Sequence, residues 1–193
     1  PINCVTWEQA ASYCAAQGKR LPSEAEWELA ARGVEGRTYP WGETTPSSSL
    51  VNFADSGLEG TEAVGLRFGR TPQGVENLGG NVSEWTADWY DASYYRASPT
   101  INPPGPATGT GRVARGGAFD QPSTTLAASV RRNFNPLNPD PSVGFRCAWP
   151  LERESPFADP VVDHAVSATG TTPAQILSLD LSGQDVERLQ GIE

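Results

Sequence analysis

A long tract, 33–112, is dominated by Gly, Pro, Ser, Asn and Thr and broken only by short aromatic clusters such as Tyr39-Pro40-Trp41-Gly42 and the run from Trp85 to Tyr95. Gly and Pro interrupt helices and strands alike, so this tract reads as long ordered loops held by buried rings, a construction that needs a metal or a disulfide to stay ordered. Twenty Gly and 17 Pro, with only 19% charged residues, extend that character to the whole chain and argue against a helical bundle. A length of 193 residues with 37% hydrophobic content suffices for one well-buried core, so one domain plus a tail is expected.

The net charge of −9 repels phosphate backbones and anionic membranes and suits cations, which sets nucleic acid aside as a partner. No run approaches the roughly 18 apolar residues of a membrane span. No signal peptide precedes Pro1, but Pro1 is not an initiator Met, so the chain reads as a fragment or processed form and the lack of a leader says nothing of compartment.

Regular structure is expected at the two ends of the domain. Trp7, Ala10, Ala11 and Cys14 recur at helical spacing, with Thr6 as N-cap and Gly18 as the stop. Ser23 stands three residues before Glu26, the spacing of a capping box, which predicts a second helix from Glu24 to Arg32 ended by Gly33. Strands are expected at 112–115 and 143–148, in one small sheet. After Pro150 the composition shifts. Residues 150–172 read as a linker, and 173–193 as a tail with a short helix from Gly183 to Gln190, which either packs on its own domain or docks on another subunit.

Separated motifs then line up in order: Val5-Thr6-Trp7 through Tyr13-Cys14, Gly18-Lys19-Arg20-Leu21-Pro22-Ser23-Glu24-Ala25-Glu26-Trp27-Glu28, Ala30-Ala31-Arg32-Gly33, Tyr39-Pro40-Trp41-Gly42, Gly80-Asn81-Val82-Ser83-Glu84-Trp85, Arg115-Gly116-Gly117-Ala118-Phe119 and Gly144-Phe145-Arg146-Cys147-Ala148. As an ordered set over residues 1–149 they resemble the formylglycine-generating-enzyme, or sulfatase-modifying-factor, family. The resemblance implies an irregular, loop-rich α+β fold related to C-type lectins, with little regular secondary structure. The family domain normally begins with a G-G-x-F-x-M-G-like stretch not found before this Pro1, so the expectation is a truncated chain or a second chain that completes the fold.

Active members of that family oxidise a sulfatase cysteine with copper(I) held by two cysteines downstream of an R-G-G-S motif. Counted without gaps from Arg115, those positions fall on Gln121 and Leu126, and Ala118 replaces the motif's Ser. Copper(I) prefers soft thiolates, which neither an amide nor an isobutyl group replaces, so no copper and no catalytic residue is expected from the resemblance. Related sulfoxide synthases use an iron site built on histidines, whereas His164, in the tail, is the single His here.

The resemblance also implies a structural Ca²⁺ held by Asn77, the carbonyls of Gly80 and Val82, and Glu84, an oxygen set chemically suited to the ion. The alternative is a metal-free Gly-Asn turn capped by Glu84. A weaker second calcium site would use Asn52, the Phe53 carbonyl and Asp55. Cys14 and Cys147 stand where the family pairs its cysteines, which leaves Cys4 over and implies a secreted or periplasmic setting, with three reduced thiols as the alternative.

The function expected from this reading is a non-catalytic binding module presenting Tyr90, Tyr94, Tyr95, Phe119, Gln121, Arg131 and Asn135 to a protein or glycan partner. The alternatives are an enzyme of unrecognised chemistry built on Arg131 or Arg132 with Asp120 and Asp140, and a variable-loop receptor whose variable segment falls between the R-G-G and G-F-R motifs.

Overall fold

The computed structural model describes residues 1–150; the expected linker, the 183–190 helix and His164 lie outside the described residues. Helix α1 runs Trp7–Ala16, and α2 runs Glu24–Arg32. Both start on capping boxes. Thr6 Oγ accepts the Gln9 N–H while the Gln9 side chain accepts the Thr6 N–H, and Ser23 pairs with Glu26 in the same way. α1 stops at Ala16, with Gly18 in the left-handed region at φ 68°, and α2 stops at Gly33.

Four short strands form one sheet in the order β3-β2-β1-β4, where β1 is Ser83–Trp89, β2 Arg112–Arg115, β3 Arg131–Phe134 and β4 Val143–Phe145. β1 pairs antiparallel with β2, β2 antiparallel with β3, and β1 parallel with β4. The strand expected at 112–115 is found as such. The one expected over 143–148 is shorter, because Ala148 leaves the ladder to form an isolated bridge with Arg20. β1 stands within the tract that the sequence reading gave to loops, and β3 where it gave no strand. Single turns of 3-10 helix at Ala54–Ser56, Tyr94–Arg96 and Ser123–Thr125 punctuate the long connections.

Side-chain alternation along β1 gives the sheet two different faces. Trp85 joins Ala10, Cys14, Leu21, Ala114 and Val143 in an apolar cluster under α1. Its neighbours Glu84 and Asp88 point the other way, towards α2, where the Trp27 indole and the Glu24 backbone N–H meet them. A second apolar cluster around Trp27, Leu29, Ala30 and Leu78 surrounds this polar contact, and a third joins Val51, Phe53 and Leu126 beneath the stacked rings of Tyr39 and Trp41. Rings do hold the loop tract: Trp41 donates its indole N–H to the Thr44 carbonyl, and Trp85 to that of Val5.

Candidate functional site

Between α2 and the sheet lies a closed network of charges. Glu24, in the first turn of α2, accepts from Arg115 Nη1 (3.1 Å) and Arg131 Nε (2.5 Å) on one oxygen and from Arg131 Nη2 (2.8 Å) on the other. Arg115 is 0% exposed and adds bonds to Glu28 Oε2 (2.5 Å) and the Ala128 carbonyl (2.7 Å). Two carboxylates on one helix face, at i and i+4, thus converge on one buried guanidinium, and that spacing was the sequence signal that could have found the network.

Asp88 borders it. Its Oδ2 accepts the Glu24 N–H at 2.6 Å, while its buried Oδ1 has no partner. Burial pushes its pKa up to about 7, and the nearby Glu24 and Glu26 carboxylates add to the shift against the Glu24 N–H bond and Arg131. The backbone seals this carboxyl: a Cβ on Gly105 would fall 2.4 Å from Oδ1. Arg131 is likewise engaged, lying 5.0 Å from the Tyr90 ring centroid and 4.9 Å from that of Tyr95, and burial raises the Tyr95 phenol well above its ordinary range. Of the two arginines that the alternative reading set beside Asp120 and Asp140, Arg131 is instead engaged by Glu24. Those two acids act on Arg132, whose guanidinium stacks 4.6 Å from the Phe134 ring.

The Arg115-Gly116-Gly117-Ala118 turn leaves β2 with Gly116 at φ 95°, and a Cβ there would meet the Leu78 carbonyl at 2.8 Å, so Gly is required. Downstream, Gln121 is 8% exposed with Oε1 unpartnered and Nε2 at 3.5 Å from Ser142 Oγ, and Leu126 is fully buried in the third apolar cluster. Of the residues expected to present a ligand surface, Asn135 is exposed and Phe119 and Arg131 are half-buried, but Gln121 is buried, its side chain turned to Ser142 and its backbone carbonyl taking the Ala54 N–H.

The segment 77–84 doubles back as expected of a glycine turn. A Cβ on Gly80 (φ 70°) would lie 2.3 Å from the Asn52 carbonyl oxygen. Glu84 Oε2 takes the Trp27 indole N–H (2.6 Å) and Arg146 Nε (2.7 Å), and Oε1 takes Arg146 Nη2 (2.7 Å). A carboxylate offers about four lone-pair positions, so one on Oε1 remains for a monodentate cation. With the amide oxygen of Asn77, which accepts the Gly65 N–H at 2.9 Å, and two carbonyls, the donors are hard oxygens of the type Ca²⁺ takes. The second set fits less well: Asn52 Oδ1 and the Phe53 carbonyl both accept from Ser56, and Asp55 is exposed.

Cys14 and Cys147 form a disulfide that joins α1 to the residues after β4, and Cys4 is free and exposed. Since these are the three cysteines of the sequence, this chain offers no second free thiol. No helix among the described residues is long and apolar enough to cross a membrane.

Comparison with known proteins agrees with this geometry. A formylglycine-generating enzyme of Streptomyces coelicolor is 40% identical over 164 residues, a match that takes in 77% of this chain and 52% of that protein, so the chain spans about half of that relative's length. A serine/threonine-protein kinase pkn1 of Chlamydia caviae is 40% identical over 151 residues, covering 77% of this chain and 24% of the kinase. Treponema denticola variable protein 1 superposes with a TM-score of 0.68 at 24% identity over 75% of this chain and 69% of its own, a likeness of fold. The sequence profile of the sulfatase-modifying factor enzyme 1-like domain matches residues 1–151, and the chain belongs to that family.

Proposed function

We propose that this domain is a non-catalytic member of its family, a binding or scaffold module for a protein or glycan partner, stabilised by calcium and working in a secreted or periplasmic setting. The observation that carries the reading is the pair Gln121 and Leu126. Both are buried in the turn after the R-G-G motif, where the resemblance calls for two copper-binding thiolates, and Leu126 is committed to an apolar cluster. Copper(I) is a soft ion and loses its ligands there. The disulfide supports the compartment, since such bonds persist under oxidising conditions. Calcium would be held by Asn77, Gly80, Val82 and Glu84, where it supplies charge that fixes the turn and takes no part in bond chemistry.

The test is incubation of the protein with copper(I), oxygen and a sulfatase-type cysteine peptide, followed by mass spectrometry. We expect the peptide mass unchanged and no bis-thiolate copper absorption. Aldehyde formation would overturn the reading.

A further inference from the structure

The loop 57–69 inverts the usual order of a surface segment. Its apolar side chains face water, with Leu58, Val64, Leu66 and Phe68 at 40%, 62%, 63% and 77% exposure. Its polar groups face inward. Asn52 Nδ2 donates to the Gly60 carbonyl at 2.9 Å. The Asn81 amide brackets Glu62, accepting its N–H at 3.0 Å and donating to its carbonyl at 3.0 Å. Asn77 Oδ1 accepts the Gly65 N–H. Arg67 turns in to Glu62 (2.6 Å) and to the Ser48 carbonyl, and the Phe68 and Gly69 N–H groups bond to Ser49 and Leu50.

This arrangement has a physical consequence. A loop left to water exposes its polar groups and tucks its apolar ones away. Here nearly every inward group is tied to the 48–52 and 77–81 segments, so the exposed side chains are held in place before any partner arrives. Pre-ordering of that kind lowers the entropy lost on association, and clustered exposed apolar side chains with a polar rim mark interaction sites.

Charge decides the occupant. The exposed carboxylates of Asp55, Glu59 and Glu76 outnumber the one exposed base at the loop's edge, Arg70, and the base within the loop, Arg67, is neutralised by Glu62. A second copy would bring the same acids face to face. The chain's own residues 151–193 hold eight Asp/Glu against two Arg, so they repel this rim as well. We infer that the 57–69 loop is a docking surface for a separate protein whose contact face is apolar at its centre and rimmed by Lys and Arg. It is built from residues other than those of the R-G-G turn.

The experiment uses the full chain and two probes, an amphipathic Leu/Lys helical peptide and its Leu/Glu counterpart, with binding read by fluorescence anisotropy and located by hydrogen exchange. The Leu/Lys peptide is expected to bind, to slow exchange in 58–68, and to weaken at least about tenfold in V64S/L66S/F68S, whose charge is unchanged and whose exposed substitutions leave the melting temperature in place. Substituting the exposed Ile101 and Leu137 by Ser should have no effect. Equal binding of the Leu/Glu peptide, protection located elsewhere, failure of the Leu/Lys peptide to bind, or a dimer in sedimentation that the triple variant abolishes would each overturn the assignment.

Discussion

Removing the disulfide should take away a large share of this domain's stability. Cys14 and Cys147 are 133 residues apart in sequence, so the bond closes a loop that contains almost all of the described domain. In the chain-entropy treatment a loop of that size destabilises the unfolded state by about 5 kcal/mol, at the upper end of what native disulfides contribute. Set against a total stability of about 5–15 kcal/mol, that is the margin between folded and unfolded for many domains of this size. The perturbation is C14A/C147A, in which Ala fills the buried Cys14 position without adding a polar group. The assay is urea unfolding followed by tryptophan fluorescence, since Trp27 and Trp85 are fully buried and report on the two sides of the sheet. With an m-value of about 2 kcal/mol/M, the midpoint should fall by roughly 2.5 M, and m itself should rise because the uncrosslinked unfolded chain exposes more surface. An unchanged midpoint would refute the reasoning, and a lowered midpoint with unchanged m would place the effect in native packing rather than in the unfolded chain.

Three further outcomes follow from the site. Calcium at about 100 times its dissociation constant should add roughly 2.7 kcal/mol, so melts with calcium and with chelator should differ by several degrees in the parent. That difference should vanish in Glu84→Ala, which lowers both curves by stranding Arg146, and persist in Val82→Ala; coincident parent melts would remove the calcium assignment. Asp88 titrates near 3.8 when unfolded and about 7 when folded, so between those values the folded state holds a proton that the unfolded state has released. Stability from this group is complete below about pH 4 and is lost as pH rises through 7, a decline of about 4 kcal/mol that Asp88→Asn should flatten in urea titrations at a series of pH values. Glu24→Ala leaves the buried Arg115 and the half-buried Arg131 without their shared carboxylate and should cost about 3–5 kcal/mol by the same measurement, whereas a loss below 1 kcal/mol would show that water reaches the network.

Much of the fold was legible in local chemistry. Thr6 and Ser23 announce the two helices because capping depends on a few adjacent residues, and the Val113-Ala114 and Val143-Gly144-Phe145 segments are short runs of β-compatible residues bounded by turn formers. β1 and β3 were misread for one physical reason. Their sequences, Ser83–Trp89 and Arg131–Phe134, contain Glu84, Asp88, Arg131 and Arg132, and a pattern reading assigns such side chains to water. In this fold Glu84, Asp88 and Arg131 lie against α2, held by partners distant in sequence: Trp27 and Arg146 for Glu84, the Glu24 N–H for Asp88 and the Glu24 carboxylate for Arg131. The Cys14–Cys147 pairing followed from the resemblance and is seen in the structure. The burial of Gln121 and the engagement of Arg131 by Glu24 depend on contacts across more than sixty residues or on backbone bonds, and no local signal carries them.

The same disulfide also determines how the domain responds to being pulled. Asn3 bridges Gly144, Arg20 bridges Ala148, and Cys14 is bonded to Cys147, so the described chain enters and leaves at one place. Tension applied to residues 1 and 150 runs along α1 to the sulfur bridge and out again, and the segment between the two cysteines carries no load. Stretched fully, the oxidised domain lengthens only through the residues outside the bridge, about 60 Å at roughly 3.4 Å per residue, whereas the reduced chain would pay out about 500 Å. The glycine-rich loops are therefore mechanically shielded, and redox state sets whether force can reach them.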